Sequence, residues 1–594
     1  MLSLSAVSAA QNAPDSRFGD QNATHGVEGN PVIPGLFADP AIEKFGDTFY
    51  LYNTTDGFGW ATGRWVTWTS KDLVNWSFKG ESFPSITAKK NWAPGRPVFR
   101  NGKYWLPFTM QDKGYFGVSD KPEGPFTIAF KEPFCDTIDG ELFIDDDGTP
   151  YVIYGAHHTM IRRMKPDLSA PEGEPLEVPF KQGYVEGPLL FKRNGIYYAC
   201  AANLGYAEYR MIYATSDKVM GPYKVPTPNF VIAPQPDDKI WGVGHGNVFH
   251  VGDDYYVVYL RSRMGEVGVD PFQTSGNVYR QICIDRLSFN DDGSIRQVEP
   301  TRKGVGPLVP LSSRGTNLAL GKTATASSSL KGYEAGKAID GSFGTRWVVN
   351  TSEPIVPTAE QAKVDWQFTE TRPADDWPKP TFDASGWKTG PGGFGAPGTP
   401  GSTIGTEWRG KAIWARRSFT LTAEQLKRPL MLRLHHDDQV EVYLNGVLAT
   451  TQAGFVTNYR SIPIAPETLA ALKPGENTLA VHCTQEAGGQ FVDAGINAGP
   501  TEAWWQLDLG ETKHIERTEI SFNYPTELTP YTLTYSSDGQ TWQTFADHSN
   551  DDLRESPKVD AKAVDARYFR LRFSNPVLDE IPAGLWEFKA FDAK

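Results

Sequence analysis

Five short segments carry the residues best suited to chemistry. They are FADPAI with Asp39, NWAPGRPVF with Trp92 and Arg96, IDGELF with Asp139, VEGPLL with Glu186 and GHGNVF with His245. A single Asp or Glu is more often a turn cap or a surface charge than a catalyst. Carboxylates that converge on one pocket behave differently. They repel, their pKa values are pushed apart, and one stays protonated as an acid while another is ionised as a base. Hydrolysis of a glycosidic bond needs that division of labour.

The elements that would bring these segments together read as a repeat. A turn glycine followed by an aromatic-rich strand recurs as Gly46-DTFYLYN, Gly102-KYWLPFT, Gly148-TPYVIYG, Gly195-IYYACAA and Gly252-DDYYVVY, about fifty residues apart. A second motif closes several units: SKDLVNW from Ser70, SDKPEGPF from Ser119 and SDKVMGPY from Ser216. Five copies predict five four-stranded blades around a channel. Asp39 and His245 each stand seven residues before their hairpin glycine, and Asp139 and Glu186 each nine. All four therefore fall on innermost strands, which line the axis. Glu141 lies on the same strand face as Asp139 by alternation, so periodicity leaves either as the third carboxylate. The IDDDG run at 144–148 reads as a hairpin turn, since it lacks the remaining ligands of an EF-hand loop.

FADPAI, SKDLVNW, NWAPGR, IDGELFIDDDG, YVEGPLLFKRNGIYY and GHGNVF together resemble glycoside hydrolase family 43, over about residues 28–312. The resemblance implies Asp39 as general base, Glu186 as general acid, and Asp139 as the carboxylate that orients Glu186 and raises its pKa. Here the segment reads IDGEL where relatives commonly have IDPSL, and the shared ID dipeptide favours Asp139 over Glu141. Inversion is implied, with base and acid roughly 6.5–9.5 Å apart. His245 matches a central histidine beside a channel ion or water cluster, although calcium prefers oxygen ligands. Arg280 resembles an arginine that reaches the third carboxylate, with Arg261 and Arg263 as alternatives. Trp92, Trp60 and Phe58 are the aromatic candidates for a sugar face, against core packing for each. The implied activity is exo-acting release of terminal α-L-arabinofuranose from plant polysaccharide side chains. β-Xylosides, β-D-galactofuranosides and β-galactosides stay open. So do a non-catalytic carbohydrate-binding protein and a retaining or phosphorylase-like propeller.

After LVPLSSRGTN the pattern changes. NLALGKTATASS and AIDGSFGTRWV resemble the opening of a discoidin-like sandwich, of the factor V/VIII C type or carbohydrate-binding module family 32. Its continuation is delayed until AWWQLDLGETKHIERTEI and then runs in order through YTLTYSSDGQTWQTF, ARYFRLRF and GLWEFKAF. The expected fold class is all-β, a five-bladed β-propeller followed by two jelly-roll β-sandwiches, one inserted in the other. The segments are a leader and linker at 1–27, the propeller at 28–312, the discoidin-like sandwich at 316–352 plus 501–594, and the inserted jelly roll at 353–500. The discoidin resemblance implies a structural calcium at Asp340, Thr345 and Glu587. No cofactor is expected for the chemistry itself.

Composition is that of a globular protein with 12% aromatics, and its formal net charge of −13 argues against a nucleic-acid partner. It suits a neutral cell-wall oligo- or polysaccharide. No apolar run reaches the length of a membrane span. The small-residue start MLSLSAVSAAQNA reads as the tail of a signal peptide, so export to the periplasm or outside is expected. The four cysteines show no CxxC spacing and are expected to be free buried thiols. Oligomeric state is not encoded in any of these features.

Overall fold

The computed structural model describes residues 29–593 except 57–62, 89, 181–183, 204–207, 238–239, 263–279, 309–314, 351–352, 457–458, 553, 576 and 579–580. Up to residue 296 the strands form five successive sheets. The first runs in order Phe37–Phe45, Thr48–Thr55, Trp65–Ser70 and Trp76–Glu81, each strand antiparallel to the last. The third, fourth and fifth repeat this plan, starting from inner strands Glu141–Ile144, Val185–Arg193 and Trp241–Val251. In the second blade the inner strand is broken into Asn91–Trp92 and Val98–Arg100, both paired with Lys103–Met110.

Bulky aromatic residues make these strands and then lock neighbouring blades together. Trp65 of blade 1 meets Phe108 of blade 2 edge-on at 5.0 Å, and Phe49 of blade 1 meets Phe249 of blade 5 at 6.2 Å. Such pairs add about 0.5–1.5 kcal/mol each beyond the area they bury. The ring is closed through Asn247 of blade 5, whose side-chain amide both accepts from and donates to the Ile42 backbone of blade 1. The IDDDG run is the hairpin between Glu141–Ile144 and Pro150–Tyr154, and Lys192 and Tyr197 hold Asp145.

Beyond the blades lie one seven-stranded and two six-stranded sheets. Thr323–Ala326 and Trp347–Val348 join the seven-stranded sheet with Ala503–Phe522 and Gly584–Phe591. All strands from Glu353–Val356 to Phe491–Ala498 belong to the two six-stranded sheets. Their cores are separate: Trp347, Trp505 and Leu585 in one, Trp366, Leu432 and Val481 in the other. The chain is thus all-β, with one sandwich inserted in a second. Cys135, Cys200, Cys283 and Cys483 are free and buried, as expected. Among the described residues no helix is long and apolar enough to cross a membrane.

Candidate active site

Each blade contributes one residue with left-handed backbone to its inner strand or the segment before it. These are Asp39 (φ 53°), Ala93 (φ 40°), Asp139 (φ 61°), Gly187 (φ 53°) and His245 (φ 37°). Non-glycine residues take this conformation at a cost, and such strain gathers where side chains must be aimed for function. The strand pairing is irregular at three of these points: between Ala38 and Ala41, between Glu186 and Leu189, and around Gly244–Gly246. A bulge turns the side chain out of the strand's regular alternation.

The aimed side chains meet. His245 Nδ1 lies 3.4 Å from Asp39 Oδ1 and 4.0 Å from Asp139 Oδ2. The Gly187 N–H, next to Glu186, donates to Asp139 Oδ2 at 3.0 Å. Arg280 Nη1 donates to Asp39 Oδ1 at 3.1 Å. Both Glu186 oxygens accept phenol hydrogen bonds, Oε1 from Tyr209 at 2.6 Å and Oε2 from Tyr184 at 2.7 Å. Tyr184 packs edge-on to His157 at 4.7 Å.

These surroundings divide the carboxyls. Burial alone would raise Asp39, but Arg280 and His245, with hydrogen bonds from Thr54 and the Ala93 amide, hold it below the ordinary aspartate value. Burial raises Asp139, His245 opposes, and the charges of Glu186 and Asp39 push it further up. A buried site with one carboxyl held ionised and another held toward protonation is equipped for acid–base chemistry.

Two sequence expectations need correction. Asp139 and Glu141 do not share a strand face, because Asp139 precedes the strand Glu141–Ile144 and its left-handed backbone breaks the alternation. Glu141 points elsewhere, toward the Leu190 amide at 3.4 Å and Arg96 at 3.9 Å, and burial pushes its carboxyl up to about 7. Arg280 binds Asp39, where the resemblance had it reaching the third carboxylate, and Asp56 holds it there by accepting from its backbone N at 2.9 Å and its Nε at 3.1 Å. Arg261 is buried on the neighbouring strand and reaches Gln281. Trp92 lies at the start of blade 2, its carbonyl accepting from Trp65 Nε1 at 2.9 Å. Phe58, Trp60 and Arg263 lie outside the described residues.

Tyr184, Tyr209 and Asp56 were missed. Only Tyr184 left a signal, two residues before Glu186 and so on its face. The other two come from distant strand ends that the repeat does not align.

Residues 28–295 match the family Glycosyl hydrolases family 43. A β-D-galactofuranosidase from Aspergillus niger is 32% identical over 306 residues, covering 47% of this chain and 86% of the fungal protein. The chain belongs to glycosyl hydrolase family 43. An arabinoxylan arabinofuranohydrolase of Bacillus subtilis is 26% identical, with 48% of this chain and 66% of that protein covered. A solved structure titled glycoside hydrolase superposes with a TM-score of 0.62 at 26% identity, covering 95% of this chain and 99% of its own. Residues 493–571 match a NedA-like, galactose-binding domain, the type of the seven-stranded unit.

Two ion sites were expected. Around His245, no group of three or more His, Cys, Asp or Glu side chains among the described residues is arranged to hold a metal. No step is routed through an ion there. The second sandwich differs. Thr345 Oγ1 donates to Asp340 Oδ2 at 2.7 Å, and the Gly341 N–H donates to Glu587 Oε1 at 2.8 Å. Glu587 is 1% exposed, and its Oε2 is buried with no hydrogen-bond partner. Burial pushes this carboxyl up to about 8, Lys589 opposing and Asp340 adding. An orphaned buried carboxylate oxygen beside a second carboxylate suits a hard cation such as calcium.

Proposed function

We propose that this family 43 hydrolase is an inverting, exo-acting furanosidase that releases terminal α-L-arabinofuranose from plant polysaccharide side chains. The observation that carries the reading is the cluster in which His245 touches Asp39 and Asp139 while Gly187 ties Asp139 to the strand bearing Glu186. In this reading Asp39, kept ionised by Arg280, removes a proton from water as the water oxygen bonds to the anomeric carbon. Glu186 gives its proton to the glycosidic oxygen as the carbon–oxygen bond breaks. Asp139 fixes the backbone beside the acid, and Tyr184 and Tyr209 hold its carboxyl.

A second reading, β-D-galactofuranosidase, is favoured by the Aspergillus niger relative. The two sugars share their ring stereochemistry and differ in the exocyclic arm, so one pocket could take either. A panel of nitrophenyl furanosides and pyranosides separates them, with NMR of the first-formed anomer. Highest kcat/KM on α-L-arabinofuranoside with inversion supports the first reading. Preference for β-D-galactofuranoside supports the second. Release from no arabinofuranoside, galactofuranoside, xyloside or galactoside overturns both.

We further propose a calcium ion at Asp340, Thr345 and Glu587, with a structural role. Export of the protein is proposed on its small-residue leader, which lies outside the described residues.

A further inference from the structure

We propose that the second sandwich is a working part of the catalytic site, holding the general base in place through Phe343. The inference rests on the reading of Asp39 as base. Two lines of contact run from Asp39 into that sandwich. In the first, Asp39 is gripped by Arg280, Arg280 by Asp56, and the Asp56 N–H donates to Leu36 O at 3.0 Å. Leu36 then packs in a small apolar cluster with Trp586 and Phe343, both of the sandwich. In the second, Gln281, the chain neighbour of Arg280, donates from Nε2 to Phe343 O at 2.8 Å. Gln281 is 1% exposed, so this bond is shielded from water.

Both ends of the Arg280–Asp56 clamp are thus fixed to one turn of another domain. The chain could have tethered the clamp within the propeller, yet these contacts reach 62 residues along the sequence to do so. Arg64, which donates its N–H to Thr55 Oγ1 beside the site, is also ion-paired to Glu527 of the sandwich. A base displaced by a fraction of an ångström loses its line to the water it activates, and small misplacements cost large factors in rate. Phe343 and Gln281 touch no reacting atom, so they are positioning residues.

Phe343→Ala and Gln281→Leu test this in the full chain. Each is expected to lower kcat roughly five- to twentyfold with KM within about twofold of the parent, and Phe343→Leu to restore most of the loss. Amide hydrogen exchange gives a readout that does not depend on turnover. Phe343→Ala should speed exchange at the Asp56 and Arg280 amides roughly tenfold or more, while amides of blades 3 and 4 keep their protection. Unchanged exchange at Asp56 and Arg280 overturns the inference whether or not the parent hydrolyses any glycoside. So does a kcat within twofold of the parent in both variants. Parent inactivity on every glycoside instead defeats the functional reading and leaves the exchange result to decide this one.

Discussion

The Gly187 N–H donates to Asp139 Oδ2 at 3.0 Å, which couples the third carboxylate to the backbone that aims Glu186. Glu141, two residues away, has no such link and faces Leu190 and Arg96. The two carboxyls should therefore respond differently to removal. Asp139→Ala is expected to lower kcat by roughly 10²–10³, since it frees the Gly187 amide and strips His245 of a neighbour. Glu141→Gln keeps an acceptor for Leu190 and should cost less than about fivefold. Steady-state kinetics on the best nitrophenyl substrate, with melting curves for both variants, checks the contrast.

The two phenols on Glu186 separate holding from proton donation. Glu186→Gln should lower kcat by roughly 10³ on an alkyl glycoside but far less on a dinitrophenyl glycoside, whose leaving group needs no acid. Tyr209→Phe removes a 2.6 Å hydrogen bond and leaves the acid in place. Its expected loss is about tenfold. A ratio of alkyl to dinitrophenyl rates that stays flat in Glu186→Gln would remove Glu186 from the role of acid.

Asp39 sets the expected acid limb of kcat/KM. Its carboxyl is held below the ordinary aspartate value of 3.8, chiefly by Arg280 against the pull of burial. The base is needed ionised, so activity should persist as pH falls until Asp39 protonates below that value. Arg280→Gln removes the largest opposing charge, burial then dominates, and the limb should move upward in pH. The pH–rate profiles of parent and variant, taken at pH values where both stay folded, show the direction.

The repeat was legible because five hairpin glycines announce five blades, and equivalent positions in a radial array meet at its axis. What the register could not supply was backbone conformation. Counting back from the glycines treats Asp139 and Glu186 as equivalents, yet the left-handed residue of blade 4 is Gly187, one position later. Likewise, alternation could not separate Asp139 from Glu141, because the residue before the strand does not follow its pleat. The split sandwich was legible from the delayed Trp504 segment alone. Asp56 and Tyr209 were not, since they reach the site from strand ends whose direction depends on tertiary packing.

Gly187 offers a sharp test of that backbone. A Cβ there would lie 2.6 Å from Cγ of the His245 ring, and its φ of 53° disfavours any side chain. Gly187→Ala should destabilise the propeller by about 1–3 kcal/mol and displace His245 from Asp39 and Asp139. A lowered melting temperature with a loss of kcat larger than the loss of folded fraction is the expected result.

The second sandwich predicts a calcium dependence that reaches the active site. Asp340 and Thr345 flank Phe343 in one turn, and Glu587 follows Trp586 directly. The residues proposed to bind the ion therefore hold the two side chains that meet Leu36 beneath the catalytic clamp. An ion that binds only the folded state stabilises it by mass action, by about 2.7 kcal/mol at a hundredfold excess over Kd. Saturating calcium should raise the melting temperature of chelator-treated protein, and Glu587→Gln should abolish that rise, because the neutral amide removes a charge from an oxygen cage. Since the same turn carries Phe343, chelation should also lower kcat more than it raises KM. Calorimetry with and without calcium, on parent and Glu587→Gln, tests the ion, and the kinetic split under the same conditions tests its connection to Asp39.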